Sequence, residues 1–302
     1  MGGAIALGNF DGVHLGHQAV LKAAAEAGAR LGAPLAAATF QPMPREVFAP
    51  NGAPFRLQSS RQRARALQAA GAQHVFEIHF DHALSQLSDE RFSADILAGK
   101  LGAKLVCVGE DFRYGADRAG NIERLKTQGA QLGFEVVAIP HFLATGADES
   151  GARVSSTMIR EALQAGDAKR AAALLSRPWA VEGVVERGFQ RGRELGVPTA
   201  NVSLGKYLRP RLGVYAARAV LSGGENIDGV ASIGVNPTTG ELAAPLLEMH
   251  LFDFDRDIYG QSIEVALLEF LRPERKFESL DALRVQMQAD IIQARESCAQ
   301  AR

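Results

Sequence analysis

Cysteine is almost absent from this 302-residue chain: two occur, Cys107 inside the apolar stretch 104–108 and Cys298 near the end. Two are too few for a disulfide framework or a zinc cluster, and Cys107 reads as a buried strand thiol. Charge of one sign is equally scarce, since 33 basic and 34 acidic residues leave a formal net charge of −1 and form no long blocks. That balance argues against a nucleic-acid partner. No apolar run approaches the roughly 20 residues that a membrane span needs, and no charged-then-apolar leader precedes the first strand, so no membrane partner and a cytoplasmic location are expected. Neither a Gly-x4-Gly-Lys-Ser/Thr loop nor a Gly-x-Gly-x-x-Gly turn occurs, and repeats and low-complexity segments are missing too. What remains is an ordinary globular composition, 47 % apolar, long enough for two domains.

Up to about residue 175, short apolar runs alternate with helical stretches. Strands are expected at 4–7, 35–40, 75–78, 105–108 and 136–139, and helices at 15–31, 60–70, 89–100 and 121–132. This is the pattern of a parallel sheet flanked by helices, whose right-handed crossovers bring the loops at one sheet end together. Helices at 157–165 and 167–175 close this half. After Ser176-Arg177-Pro178 the pattern changes to β-branched and aromatic runs separated by Gly, Asn, Asp and Pro, with strands expected at 179–185, 200–203, 213–220, 229–235, 246–252 and 263–270. Five or six strands at this spacing predict a small antiparallel β-barrel. Leu283, Met287, Ile291 and Ile292 recur at helical spacing and predict a C-terminal amphipathic helix over 280–294, packed on its own domain. The expected domains are residues 1–176 and 179–302.

Three loops of the first half carry chemistry. Gly8-Asn9-Phe10-Asp11-Gly12-Val13-His14-Leu15-Gly16-His17 is a glycine-rich turn from strand to helix with two imidazoles three residues apart. Unpaired N–H groups at a helix start attract phosphate, and residues three apart share a helix face, so His14 and His17 can reach the same phosphate oxygens. A helix cap by one His with the other on the surface is the alternative. Gly109-Glu110-Asp111-Phe112-Arg113-Tyr114-Gly115 follows a strand, with glycines at both ends for close approach to a ligand. Ser155, Ser156 and Thr157 lead into a helix with Arg160 one turn later, a fuller anion cradle than a helix cap requires.

The second half has its own constellation. Gly188, Gly192 and Gly196, with Arg193 between, form a flexible loop ending in Pro198-Thr199-Ala200-Asn201, and it reads either as a phosphate clamp or as a long hairpin connection. Strand alternation puts Glu248, His250 and Phe252 on one face. An acid facing inward among Leu246 and Leu247 is costly without a task or a partner, and either catalysis or a salt bridge to Arg211 or Arg272 would supply one.

In combination, Gly-x-Phe-Asp-Gly-x-His-x-Gly-His, Gly-x-Asp-Phe-Arg-Tyr-Gly and Ser-Ser-Thr-x-Ile-Arg resemble the adenylyltransferase module of the bacterial bifunctional riboflavin kinase/FAD synthetase family. Gly-Arg-x-Leu-Gly-x-Pro-Thr-Ala-Asn, Ile233-Gly234-Val235-Asn236-Pro237-Thr238 and Glu-x-His-Leu-Phe-Asp-Phe-Asp resemble its riboflavin kinase module, a six-stranded barrel. The resemblance implies a nucleotidyltransferase-type α/β domain that joins FMN and ATP into FAD and pyrophosphate, and a barrel that phosphorylates riboflavin to FMN with ATP. It also implies roles. Gly8, Asn9, Phe10, Asp11, Gly109, Asp111 and Arg113 would shape the nucleotide site, His14 and His17 would stabilise the transferring phosphate, and Ser155, Ser156, Thr157 and Arg160 would hold pyrophosphate. Glu248 would be the general base, Thr199 and Asn201 would hold Mg²⁺, Gly188, Gly192, Arg193, Gly196 and Pro198 would contact phosphates, and Arg272 and Phe277 would lie by the flavin. Mg²⁺ is expected as cofactor, with ATP, riboflavin and FMN as the small-molecule partners. The family's Pro-His-Pro is Pro42-Met43-Pro44 here, so any role of that His is absent or replaced. The chain also begins almost at the first motif, without the family's leading segment, which bears on the edge of the first strand and not on the chemistry. Rival readings are an adenylyltransferase of another acceptor and a flavin-binding protein with dead sites. The barrel motifs oppose the first, and the intact His14, His17, Glu248, Thr199 and Asn201 oppose the second.

Overall fold

A computed structural model describes residues 2–143, 153–187, 197–234 and 245–301. It resolves into two compact units, residues 1–53 with 60–155, and residues 54–59 with 156–302. The expected fold class, parallel sheet followed by antiparallel barrel and C-terminal helix, is the one observed.

The first unit is built on a five-stranded parallel sheet in the order β3-β2-β1-β4-β5. Its strands are β1 (Gly3–Leu7), β2 (Leu35–Gln41), β3 (His74–His79), β4 (Ala103–Gly109) and β5 (Glu135–Ile139). β1 is buried along its whole length, as a central strand covered on both faces must be. Helix α1 (Leu15–Arg30) packs Leu21, Ala24 and Ala27 on one side of it. On the other side Phe92, Ile96 and Leu97 cover Ile5 and Leu7. These three lie on Phe92–Lys100, which winds as a π-helix rather than the ordinary helix that its sequence suggests, with Leu101 N–H reaching back five residues to the Ile96 carbonyl at 2.9 Å. Strand order reverses between β1 and β4. The crevice beyond the carboxyl ends of those two strands is where an open α/β sheet binds ligands.

The second unit closes six antiparallel strands in the cyclic order β10-β7-β6-β11-β8-β9. They are β6 (Trp179–Glu186), β7 (Ala200–Ser203), β8 (Gly213–Val220), β9 (Asn226–Gly234), β10 (Leu246–Leu251) and β11 (Ser262–Arg272). Helices Ser156–Ala165 and Ala168–Leu175 belong to this unit, as does the strap Pro54–Ser59. Trp179 Nε1 donates to the Leu57 carbonyl at 2.8 Å, so a buried indole finds its partner on that strap. The C-terminal helix Leu280–Gln300 packs Ala294 and Cys298 on Ala216, Phe252 and Leu268 of the barrel wall. Ile292 departs from the expected packed face, because it is 60 % exposed.

The loop after β4 is locked into the first unit through Gly115. Its φ is 73°, and a Cβ there would lie 2.7 Å from the Asp89 backbone nitrogen. Asp89 in turn receives Arg124 at 2.5 and 2.9 Å and Gln128 Nε2 at 2.8 Å. Burial alone would raise the Asp89 carboxyl, but those hydrogen bonds and the Arg124 charge hold it below the usual carboxylate range. Gly115→Ala therefore combines left-handed strain with overpacking, and urea unfolding should show a loss of about 2–4 kcal/mol. An unchanged midpoint would contradict this account of the loop.

Candidate active sites

Beyond Leu7 the chain turns into α1 through a backbone that is left-handed at Phe10 (φ 50°), Gly12 (φ 94°) and Val13 (φ 43°). Glycine takes that region freely, whereas a β-branched residue there is strained. Such strain persists only where the surroundings hold it. The Asn9 carbonyl accepts from Thr39 Oγ1 at 3.0 Å and from Arg63 Nη1 at 3.2 Å. The Arg63 guanidinium, 1 % exposed, also donates to the Phe40 carbonyl and to Gln41 Oε1 and lies 3.4 Å from Glu77. Sequence reasoning missed Arg63, which sits in a polar helical stretch and gives no sign of being buried.

The turn delivers His14 as the N-cap of α1, its Nδ1 accepting the His17 backbone N–H at 3.3 Å. A neutral His14 therefore carries its ring proton on Nε2. His17 stacks on it with ring centroids 3.6 Å apart and planes 19° from parallel, while the buried Phe10 meets His17 edge-on at 5.2 Å. Capping and pairing of the imidazoles are thus realised together. His17 Nδ1 is buried without a hydrogen-bond partner among the described residues, a state that costs free energy until a ligand provides one. Burial first, then the charges of His14 and Arg153, push the His17 imidazole well below its usual range. Two stacked rings, one of them uncharged, form a pair of N–H donors suited to anionic oxygens.

The loop after β4 leaves the same, carboxyl, end of the sheet. From it Asp111 meets Arg153 Nη1 at 2.6 Å, and that nitrogen is also 3.0 Å from His141 Nε2. Burial alone would raise the Asp111 carboxyl, but the Arg153 hydrogen bond and charge hold it below the carboxylate range. Arg153 is a second residue that sequence reasoning missed, although it stands two positions before Ser155. Asn9 and Arg113 are exposed, Gly8 and Gly109 half-buried, and Asp11 buried. Tyr114 turns inward and donates to Gln128 Oε1 at 2.7 Å. Ser155 closes the first unit, while Ser156, Thr157 and Arg160 open the second. Arg160 Nε donates there to the Phe55 carbonyl at 2.9 Å, with the guanidinium 5.5 Å from the Phe55 ring.

In the barrel, alternation along β10 sends Leu247, Met249 and Leu251 into the core and Glu248 and His250 to the other face. The expectation that Glu248 faces inward is corrected by this pattern: it stands half-buried on the outer wall. The C-terminal helix and the segment after β11 cover that wall and leave a cleft of about 290 Å³, lined by Glu248, His250, Arg272, Glu274 and Phe277 among others. Arg272 is held by Asp290, with contacts of 2.8 and 2.6 Å, and its guanidinium lies 5.8 Å from the Phe277 ring. Arg211 donates to the Ala165 carbonyl and stacks on Phe270. Burial raises the Glu274 carboxyl, and Arg272 offsets part of that rise.

A second cavity of about 390 Å³ opens nearby, lined by Pro198, Thr199, Asn201, Phe254, Asp255 and Tyr259 among others. Thr199 borders both spaces. Asn201 is paired directly across from Glu248 in the β10–β7 ladder, and the His250 ring Nδ1 lies 2.9 Å from the Pro198 carbonyl, which fixes the segment leading to Thr199. His250 is a positioning residue that alternation placed on the right face without revealing its task. Among the described residues no cluster of three or more His, Cys, Asp or Glu could hold a metal ion. The hard neutral oxygens of Thr199 and Asn201, with Glu248 across the β10–β7 ladder, suit a Mg²⁺ ion that takes its remaining ligands from phosphates and water. Gly188, Gly192, Arg193 and Gly196, and the motif at 235–238, lie outside the described residues.

Residues 1–158 match the family model for FAD synthetase, and residues 175–298 match that for riboflavin kinase. The chain is 39 % identical to a bifunctional riboflavin kinase/FMN adenylyltransferase of Escherichia coli strain K12, over 98 % of this chain and 92 % of the relative. It is 41 % identical to one of Pseudomonas fluorescens, over 96 % of this chain and 91 % of the relative. A crystal structure described as a macrolide-efflux protein from Streptococcus pneumoniae is similar over 96 % of this chain and 92 % of that one, with a TM-score of 0.83 and 30 % sequence identity. Among the described residues no helix is long and apolar enough to cross a membrane.

The lowered His17 imidazole has a measurable consequence. Below about pH 6.5 the unfolded chain protonates this residue and the folded chain does not, so folded stability falls as pH falls, by at most about 1.4 kcal/mol per pH unit. Urea unfolding at pH 7, 6 and 5 should show a shallower decline for His17→Asn than for the wild type. Identical slopes would contradict a buried neutral ring.

Proposed function

Because the chain belongs to the family of bifunctional riboflavin kinase/FMN adenylyltransferases, its two activities are phosphorylation of riboflavin to FMN and adenylylation of FMN to FAD, and we propose which residues carry each. Adenylyl transfer is assigned to residues 1–176 and phosphorylation to residues 179–302, a division that the spans of the two family matches support. ATP is the proposed donor for both. A cytoplasmic setting fits the two free, buried thiols Cys107 and Cys298.

For the kinase, the observation that carries the reading is that Thr199 borders both barrel cavities, with Glu248 in one and Asn201 in the other. Riboflavin occupies the cleft beside Arg272 and Phe277, and ATP the cavity between Pro198 and Tyr259. The Glu248 carboxylate accepts the proton of the terminal ribityl hydroxyl as its oxygen bonds to the γ-phosphorus and ADP departs. Thr199 and Asn201 would hold Mg²⁺, which when bound neutralises phosphate charge. Gly188, Gly192, Arg193 and Gly196 are proposed to close over the phosphates with Pro198.

For adenylyl transfer, an FMN phosphate oxygen bonds to the α-phosphorus of ATP while the bond to the β-phosphate oxygen breaks and pyrophosphate leaves. No enzyme nucleophile is needed, so the task is positioning and charge neutralisation. The stacked His14 and His17 donate to the α-phosphate oxygens, and their support is the orphaned His17 Nδ1 at the point where strand order reverses. Gly8, Asn9, Phe10, Asp11, Gly109, Asp111 and Arg113 shape the nucleotide end, and Ser155, Ser156, Thr157 and Arg160 receive the pyrophosphate.

Two variants separate the reactions, with products resolved by chromatography. Glu248→Gln should lower FMN formation about 10²- to 10⁴-fold and spare the conversion of supplied FMN to FAD. His17→Ala should lower FAD formation about 10²- to 10³-fold with phosphorylation spared. Loss of both activities in either variant would contradict independent sites, and unchanged FAD synthesis in His17→Ala would contradict the role given to that ring.

A further inference from the structure

The wall of the larger barrel cavity has little behind it. Phe254 borders that 390 Å³ cavity on one side and, on the other, a separate open cavity of about 390 Å³ lined by Asp228, Asp253, Arg295 and Cys298 among others. A side chain that borders two cavities takes little of its position from core packing. It must be held from its ends.

The ends are held by ion pairs from other elements. On one side of Phe254, Asp253 sits in the left-handed region at φ 54°. Arg295 of the C-terminal helix forks its carboxylate at 2.8 and 2.9 Å and lies over the preceding ring, 4.4 Å from the centroid of the buried Phe252. On the other side, Arg256 pairs with Glu225 and covers the Phe254 ring itself at 4.7 Å. The bidentate pair fixes direction as well as distance, which a single contact would not. Exposed ion pairs contribute little to global stability, so this one is not needed to hold the barrel closed. What it does fix is the turn from which Phe254, Asp255 and Tyr259 enter the cavity wall opposite Thr199 and Asn201.

We propose that Arg295 and Asp253 form a latch by which the C-terminal helix sets the wall of the nucleotide cavity, making Arg295 a positioning residue for the kinase reaction. The proposal rests on the reading that this cavity takes ATP. Neither residue lines the cavity, so the latch acts on how well the wall is placed and not on the transfer step.

The test is steady-state kinetics of riboflavin phosphorylation by the full chain, with adenylylation of supplied FMN measured on the same preparations. Arg295→Ala should raise KM for ATP about fivefold or more, with kcat and KM for riboflavin within about twofold, an effect typical of coupling through one intervening element. Asp253→Ala should do the same, the double variant should be no worse than either single one, and Arg295→Lys should recover part of the loss because charge remains while the fork is gone. A merely structural role would move the melting temperature and kcat and leave this KM-selective, non-additive signature missing. An unchanged KM for ATP in Arg295→Ala, or additive effects in the double variant, overturns the latch. Thr199→Val tells the two failures apart: if it impairs phosphorylation while Arg295→Ala does not, the latch alone falls, and if neither has an effect, the cavity assignment falls with it.

Discussion

One carbonyl oxygen sets the geometry of the N-terminal site. Asn9 C=O receives the Thr39 hydroxyl and the Arg63 guanidinium, and Arg63 is buried with its remaining contacts on β2 and β3. An arginine removed from water must keep its partners, because a buried charge without them is very costly. The end of β1 is therefore clamped to its neighbour β2 and, through Glu77, to β3 beyond it. From that fixed point the chain has few residues in which to reach the start of α1, and it accepts left-handed backbone at Phe10, Gly12 and Val13 to do so. The stacked imidazoles are the result: His14 is pinned as a cap, and His17 is pinned by His14 on one face and Phe10 at its edge. Preorganised donors of this kind need not reorganise when charge develops in the reaction, which is where electrostatic catalysis gains most.

The barrel solves a similar problem by different means. A closed sheet has an inside already filled by Leu247, Met249 and their neighbours, so reactive groups stand on its outer face and need a cover. The C-terminal helix and the segment 272–277 provide it, tied down where Arg272 forks Asp290. Glu248 thus gains a part-dry setting without an acid having to be buried in the apolar core. Cover and proposed latch come from one helix: its first half lines the cleft beside Glu248 through Leu283 and Met287, and its last turns reach Asp253.

Much of this was legible in the chain. Strands of β-branched and apolar residues bounded by Gly and Asp were found to within three residues of their ends, because strands covered on both faces read as short apolar runs and those covered on one face leave a period of two. Periodicity does not say which face of a strand is inside, which is why Glu248, flanked by apolar residues on both sides, was expected to point into the barrel. Arg63 looks like any charged residue of a polar helix, and only the tertiary structure reveals its burial. The π-helical winding at Phe92–Lys100 changes the hydrogen-bond step without changing the amino-acid pattern that predicts a helix. The strap Pro54–Ser59 has no periodicity, and its role becomes visible through the Trp179 indole and the Arg160 guanidinium that it receives. The histidine pair was legible because its spacing encodes a shared helix face directly.

The central claim is that two separate nucleotide sites serve one chain, one at a pair of stacked histidines and one beside an outward-facing glutamate. A crystal structure of the full chain soaked with riboflavin and a non-hydrolysable ATP analogue tests it most directly. The account predicts analogue phosphates against His14 and His17 and again beside Thr199, with the ribityl terminus at the Glu248 carboxylate. Nucleotide bound away from both places, or flavin outside the cleft of Arg272 and Phe277, would contradict it.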